Sequence, residues 1–272
     1  MDPHDLQISE VYPPVEIARK VERIGVSKAR TETLTMFVLA ILAGAFISMG
    51  ALLFTVVMTG SNLGFGLSRL VGGLSFCLGL ILVVIAGAEL FTGNNLIAMA
   101  WASRLIGTRD VVRNWIIVYL GNVAGCLATV VLVAWADVGH LGNGTVQETA
   151  IAIAKAKAGL HWEVAFARGI LCNALVCLAV WLAMGGRSLT DKILAILFPI
   201  TAFVAMGLEH SIANWFFLPY GLYLDGQASL SVVDVVCNLI AVTIGNILGG
   251  TVLVAGVYWV AYLRSERMNR TA

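Results

Sequence analysis

Gly207-Leu208-Glu209-His210-Ser211-Ile212-Ala213-Asn214 interrupts an apolar stretch that otherwise runs from about 190 to 224. A glutamate, a histidine and an asparagine fall where a membrane-spanning helix should be apolar throughout. The same pattern, G-x-E-x-x-x-x-N, occurs 120 residues earlier as Gly87-Ala88-Glu89-Leu90-Phe91-Thr92-Gly93-Asn94, inside a second long apolar stretch. Backbone at membrane depth leaves the helix only where it is buried in protein or lines a cavity. A matched pair of such interruptions points to a transport site.

Composition agrees with a bilayer protein. Of 272 residues, 59% are hydrophobic and only 12% charged, and the mean hydropathy is +0.90. A soluble domain carries roughly twice that share of charge. The 28 glycines suit helices that pack closely in lipid. A net charge of +1 excludes a nucleic-acid surface, which needs a clustered basic excess. The first 30 residues mix acidic and basic side chains without an apolar core, so no cleavable signal peptide is expected. The five cysteines lie in apolar runs without C-x-x-C spacing and read as small apolar packing residues. No metal-ligand spacing and no nucleophile–base pair stands out, so the sequence predicts neither an enzyme nor a cofactor.

Stretches long enough to span, about 20 residues each, fall at roughly 33–58, 69–104, 112–136, 163–185, 190–224 and 232–263. The second and fifth are too long for one straight helix, and each reads as two half-helices around a break. Upstream, Val15, Ile17, Ala18, Val21, Ile24 and Val26 mark the apolar face of a short helix bearing Arg19, Lys20 and Arg23. That suits a segment on the cytoplasmic membrane surface; a solvated helix is the alternative. Thirteen Lys and Arg fall on one side of the six spans and four (Arg69, Lys155, Lys157, Arg168) on the other. The positive-inside rule then puts both termini in the cytoplasm.

A second matched pair strengthens the repeat. Gly121-Asn122-Val123-Ala124-Gly125 and Gly245-Asn246-Ile247-Leu248-Gly249 are both G-N-x-x-G, separated by 124 residues. Three spans per copy is an odd number, so the second copy enters the membrane upside down. The expected organisation is an N-terminal segment over 1–30 and a first repeat over 31–136. A periplasmic connection over 137–162, an inverted repeat over 163–263 and a cytoplasmic tail over 264–272 complete the chain. The fold class is an all-α membrane protein of six transmembrane helices, the second and fifth broken.

Half-helices starting near Thr92 and near Ser211 would aim free N–H groups and a partial positive charge at the pore centre, a setting that favours an anion. Glu89 and Glu209 are intramembrane carboxylates, costly unless satisfied. The simplest reading has each accept hydrogen bonds from amides freed by its own break. Of four histidines only His210 lies mid-span, and imidazole exchanges a proton near neutrality. A core histidine is the bland alternative; its place beside a break favours function. Lys157, in the 137–162 connection, reads by default as a solvated loop lysine. Phe76 and Phe203, upstream of the breaks, are either core packing or a constriction that excludes hydrated ions.

Taken together, these residues resemble the formate/nitrite transporter family from about Tyr12 to Tyr262. Ala86-Gly87-Ala88-Glu89-Leu90-Phe91-Thr92 and Gly207 to Asn214 look like its two motifs. The resemblance implies a homopentamer in which every protomer has an aquaporin-like pore for small monovalent anions. By position, His210 looks like the central pore histidine and Thr92 like the loop threonine facing it. Lys157 looks like the lysine dipping toward the outer vestibule, in place of the solvated loop lysine. Asn173 matches a pore-lining asparagine; Phe76, Leu80 and Phe203 match the outer constriction, and Leu90 and Phe91 the inner one. Gly87, Glu89, Asn94, Gly207 and Asn214 form the breaks. Trp215-Phe216-Phe217-Leu218-Pro219 after the second motif is similar to formate-type members, whereas Gly93-Asn94-Asn95 also occurs in hydrosulfide-type ones.

The function expected is a formate channel of the bacterial inner membrane. Lys157 and the half-helix N-termini would draw the anion in, and His210, bonded to Thr92, would pass it a proton. Alternatives are nitrite, hydrosulfide or another small monocarboxylate on the same fold. A neutral solute pore is a further one, disfavoured because aquaporin asparagine-proline-alanine boxes are missing.

Overall fold

Every regular element among residues 11–226 and 229–266, the part of the chain that the computed structural model describes, is a helix. Residues 1–10 and the tail arginines Arg267 and Arg270, which contribute to the orientation count, lie outside it. Helix α1 (Pro14–Arg30) leads into α2 (Thr33–Met58), whose first turn is capped by Glu32 accepting from the amides of Leu34 and Thr35. Helix α3 (Phe65–Ala86) ends at the first break, followed by a 3-10 turn (Gly93–Ile97) and α4 (Ala98–Ala102). Then come α5 (Thr108–Trp135), α6 (Thr145–Ala158), α7 (Trp162–Gly185) and α8 (Leu189–Ala205). The second break separates α8 from α9 (Ser211–Leu224). A last long helix runs as α10 (Val232–Leu248), a π-helical stretch (Gly249–Gly256) and α11 (Val257–Tyr262).

Five of these stretches are long and apolar enough to cross a bilayer by themselves: α2, α3, α5, α7 and the continuous run Val232–Tyr262. The 190–224 stretch is divided into α8 and α9, of 17 and 14 residues, each short of a full crossing. The first break is less even than expected. Its upstream helix α3 has 22 residues, while the downstream part is a five-residue 3-10 turn and a five-residue helix. Asparagine explains this locally, because Asn95 turns its side chain back to the Phe91 carbonyl at 2.9 Å. Such a bond offers the backbone an alternative to the α-helix.

Both G-N-x-x-G motifs mark close backbone crossings. A Cβ on Gly125 would sit 2.0 Å from the Ile41 carbonyl oxygen of α2, and one on Gly249 2.1 Å from that of Ile170 in α7. Only glycine permits this approach. The pairs Gly121–Phe37 and Gly245–Phe166 repeat the geometry one turn earlier.

Two connecting segments differ from their sequence reading. The apolar stripe of α1 packs on protein: Ile17, Ala18 and Val21 are buried with Leu96, Met99, Trp181 and Val254. Its Gly25 stands where a Cβ would lie 3.2 Å from that of Ala100. The hydrophobic face is thus covered by the first break and α7. The 137–162 connection, read as loop around Lys157, contains α6, which buries Val146, Ala150, Ala154 and Ala158. Its alanine spacing is that of a helix laid closely on α9, and Ala154 leaves room only for Gly221. Of the five cysteines, four are buried packing residues and Cys237 is exposed on α10.

Candidate functional site

Each break begins with a glycine in the left-handed region, Gly87 at φ 84° and Gly207 at φ 70°, which ends the helix before it without strain. The next amides fold back identically: Ala88 N–H to Val83 O at 2.9 Å and Leu208 N–H to Phe203 O at 3.0 Å. Glu89 and Glu209 then donate their amides to neighbouring helices, at Leu39 O (3.2 Å) and Arg168 O (3.4 Å).

The asparagines of the G-N-x-x-G motifs clamp the non-helical backbone beyond these glutamates. Asn122 accepts from Phe91 N–H at 2.9 Å and donates to Glu89 O at 2.8 Å and Ala40 O at 2.7 Å. Asn246 accepts from Ser211 N–H at 2.9 Å and donates to Glu209 O at 3.0 Å and Gly169 O at 2.8 Å. In the sequence these asparagines stand out only as repeat markers. They satisfy the broken backbone, as a low-dielectric setting requires.

The glutamate carboxylates therefore do not bind the amides of their own breaks, contrary to the simplest reading of the sequence. Glu89 pairs with Lys28 of α1 at 2.6 Å and accepts from Asn94 at 2.7 Å. Glu209 pairs with Lys157 of α6 at 3.0 and 3.1 Å and accepts from Asn214 at 2.7 Å. A second asparagine pair completes each set. Asn94 donates to Asn114 at 3.0 Å and Asn214 to Asn238 at 2.8 Å. Asn114 and Asn238 donate in turn to the backbone oxygens of Lys28 (3.3 Å) and Lys157 (2.8 Å). Asn114 and Asn238 stand 124 residues apart, the spacing of the G-N-x-x-G pair. That signal could have found them.

The two breaks meet at one contact: Thr92 Oγ1 and His210 Nε2 lie 3.0 Å apart, both residues buried. His210 is also the N-cap of α9, its Nδ1 accepting the Ala213 N–H at 3.1 Å. A nitrogen that accepts carries no proton, so the neutral ring must hold its proton on Nε2 and donate it to Thr92. The imidazole lies nearly parallel to Phe203 (centroids 5.9 Å, 22°), which meets Phe76 edge-on at 5.6 Å. Above them opens a cavity of about 180 Å³ lined by Phe76, Phe203, His210, Lys157, Glu209, Arg69 and Arg168. Lys157 Nζ also lies 5.2 Å over the Phe217 ring.

The chain matches the model of a family described as formate/nitrite transporter over residues 15–260. The chain belongs to the formate/nitrite transporter family. It is 41% identical to the formate channel FocA of Escherichia coli K12, over 93% of this chain and 95% of that one. The Haemophilus influenzae formate channel FocA is 38% identical, over 92% and 94% of the two chains. A solved structure described as a pentameric formate channel with formate bound superposes with a TM-score of 0.79. It shares 41% identity and covers 85% of this chain and 98% of its own. With family membership and five apolar spans, this is a multi-pass membrane protein.

In this family member the remaining candidates lie apart from His210. Asn173 is buried and donates to Asn246 O at 2.6 Å, Asn95 Oδ1 at 3.2 Å and Thr92 O at 3.3 Å. It ties the first break to the last span and forms no bond to the imidazole. Leu80 is buried on α3 and is not among the cavity-lining residues. Leu90 and Phe91 are buried in the first break, where Phe91 meets Tyr119 at 4.9 Å and Trp115 at 6.4 Å edge-on. Lys28, Arg69 and Arg168 enter the sequence reading only through the orientation count.

Proposed function

We propose that the protein is a formate channel of the bacterial inner membrane, a homopentamer whose protomers each conduct. The observation that carries this is the Thr92–His210 contact, which joins the two breaks at the floor of a cavity lined by cations. Identity of 41% to a formate channel supports formate as the substrate. The matching hydrogen bonds of the two breaks support two inverted repeats and six crossings, with both termini cytoplasmic by the positive-inside rule. The equivalence of Lys28 with Lys157 extends the repeats to α1 and α6.

Formate enters the vestibule as an anion attracted by Lys157 and the arginines. Phe76 and Phe203 strip its water, since a full charge at the bilayer centre is costly. An anion beside His210 favours a second proton on the ring, taken from water at Nδ1 in place of the Ala213 bond. The imidazolium then gives its Nε2 proton through Thr92 to the carboxylate. That transfer yields neutral formic acid and leaves a neutral imidazole, and the acid passes Leu90 and Phe91 at little electrostatic cost.

The test is formate flux in proteoliposomes at about pH 7 and about pH 5 for the parent and His210→Asn. The parent should respond to pH and the variant should not; equal flux and equal response in both would remove His210 from the mechanism. The family description includes nitrite, so nitrite is the second substrate for the same vesicles.

A further inference from the structure

The vestibule holds more positive charge than the proposed proton transfer uses. Arg69, Lys157 and Arg168 line it, while its one carboxylate, Glu209, is engaged by Lys157. Two half-buried guanidiniums thus face a small cavity, and among the described residues neither forms an ion pair. Arg69 donates to Ala205 O at 3.0 Å and Val204 O at 2.6 Å, and Arg168 to Gly207 O at 3.3 Å. These bonds fix both side chains against the end of α8 and leave further N–H donors, since a guanidinium has about five. Carbonyl dipoles offset only part of a full charge, and two like charges lining one cavity repel each other until an anion joins them.

The repeat supplies an internal comparison. Leu39 stands where Arg168 does, because each gives its backbone oxygen to the glutamate amide of a break. Leu189 lies 120 residues beyond Arg69, the spacing that relates the two breaks. The Lys28 side therefore has a neutralised lysine and a leucine at each matched place. The breaks form without arginines there, so the guanidiniums at the other mouth are an addition to the shared scaffold.

We infer that Arg69 and Arg168 form a holding site for a small monovalent carboxylate in the outer vestibule, from which the anion passes to His210. This rests on the assignment of formate as the substrate. A guanidinium fork matches a carboxylate in plane and spacing. A cavity of about 180 Å³ has room for one such anion and a few waters. Fields focused in a cleft of one sign raise local anion concentration by about 10- to 1000-fold and weaken with salt.

The experiment measures initial formate flux against formate concentration, at low and high ionic strength, in proteoliposomes. Arg69→Gln/Arg168→Gln should raise the half-saturating concentration about tenfold at low salt and flatten its salt dependence. Arg69→Lys/Arg168→Lys keeps the charge but not the fork, so it should keep the salt dependence while half-saturation rises less than in the Gln variant, which also controls for folding. Gln variants with the parent's half-saturation and salt dependence overturn the inference, as does lost maximal flux at unchanged half-saturation, since the arginines then only brace α8. Should the parent conduct no formate, the functional reading fails, and calorimetric titration of purified protein with formate decides the site alone. Salt-sensitive binding lost in the Gln variant supports it; equal or no binding in both proteins overturns it.

Discussion

Replacing His210 by asparagine or by leucine separates its two hydrogen bonds. The imidazole caps α9 through Nδ1 and reaches Thr92 through Nε2, at 3.1 and 3.0 Å. Asparagine is among the best N-caps, and its oxygen can still accept the Ala213 amide, but it is too short to reach Thr92. His210→Asn therefore loses one hydrogen bond, a cost of about 1 kcal/mol. His210→Leu loses the cap as well, which leaves the buried Ala213 amide unpaired at about 1–3 kcal/mol more. Allowing Thr92 to find a backbone acceptor, the leucine variant should be about 2–4 kcal/mol less stable than the parent. The vacated space joins the existing cavity, so little is added for a void. The assay is the midpoint of SDS-induced unfolding in mild detergent, followed by circular dichroism. If asparagine and leucine destabilise equally, Nδ1 is not the cap. The assignment of the proton to Nε2, and the relay built on it, would then fall.

Asn122→Ala and Asn246→Ala each remove three hydrogen bonds that hold a break. Each should lower stability by about 2–4 kcal/mol, read from the thermal midpoint of solubilised protein, and an effect at only one site would refute their equivalence. Gly125→Ala and Gly249→Ala place a Cβ 2.0 and 2.1 Å from a carbonyl oxygen and should cost about 1–3 kcal/mol or more. Gly66→Ala, with open space around it in α3, should instead stabilise slightly in the same measurement. Glu32 is held below the ordinary carboxylate range, first by the amide of Leu34 and then by Thr35. A depressed value stabilises the fold above the ordinary carboxylate range and loses that contribution as pH falls through the folded value. The unfolding midpoint of the parent should accordingly drop more steeply on acidification than that of Glu32→Gln; parallel profiles would exclude Glu32 as a contributor.

The sequence by itself determined that this is a helical membrane protein carrying two matched pairs of motifs, and it located both breaks. Those features are written in short-range pattern: G-x-E-x-x-x-x-N and G-N-x-x-G need only a few neighbouring residues each, and repetition at 120 and 124 residues makes them legible. His210 stood out because a titratable ring inside an apolar span is costly. Tertiary structure decided what each polar group touches. Glu89 and Glu209 find lysines 61 and 52 residues away, on helices whose docking depends on the packing of the whole bundle. Composition alone could not choose between lipid and protein as the cover for the apolar stripe of α1, because both bury it equally well. Nor could it reveal that two arginines, 99 positions apart in the chain, share one cavity, since that proximity exists only once α3, α7 and α8 have assembled.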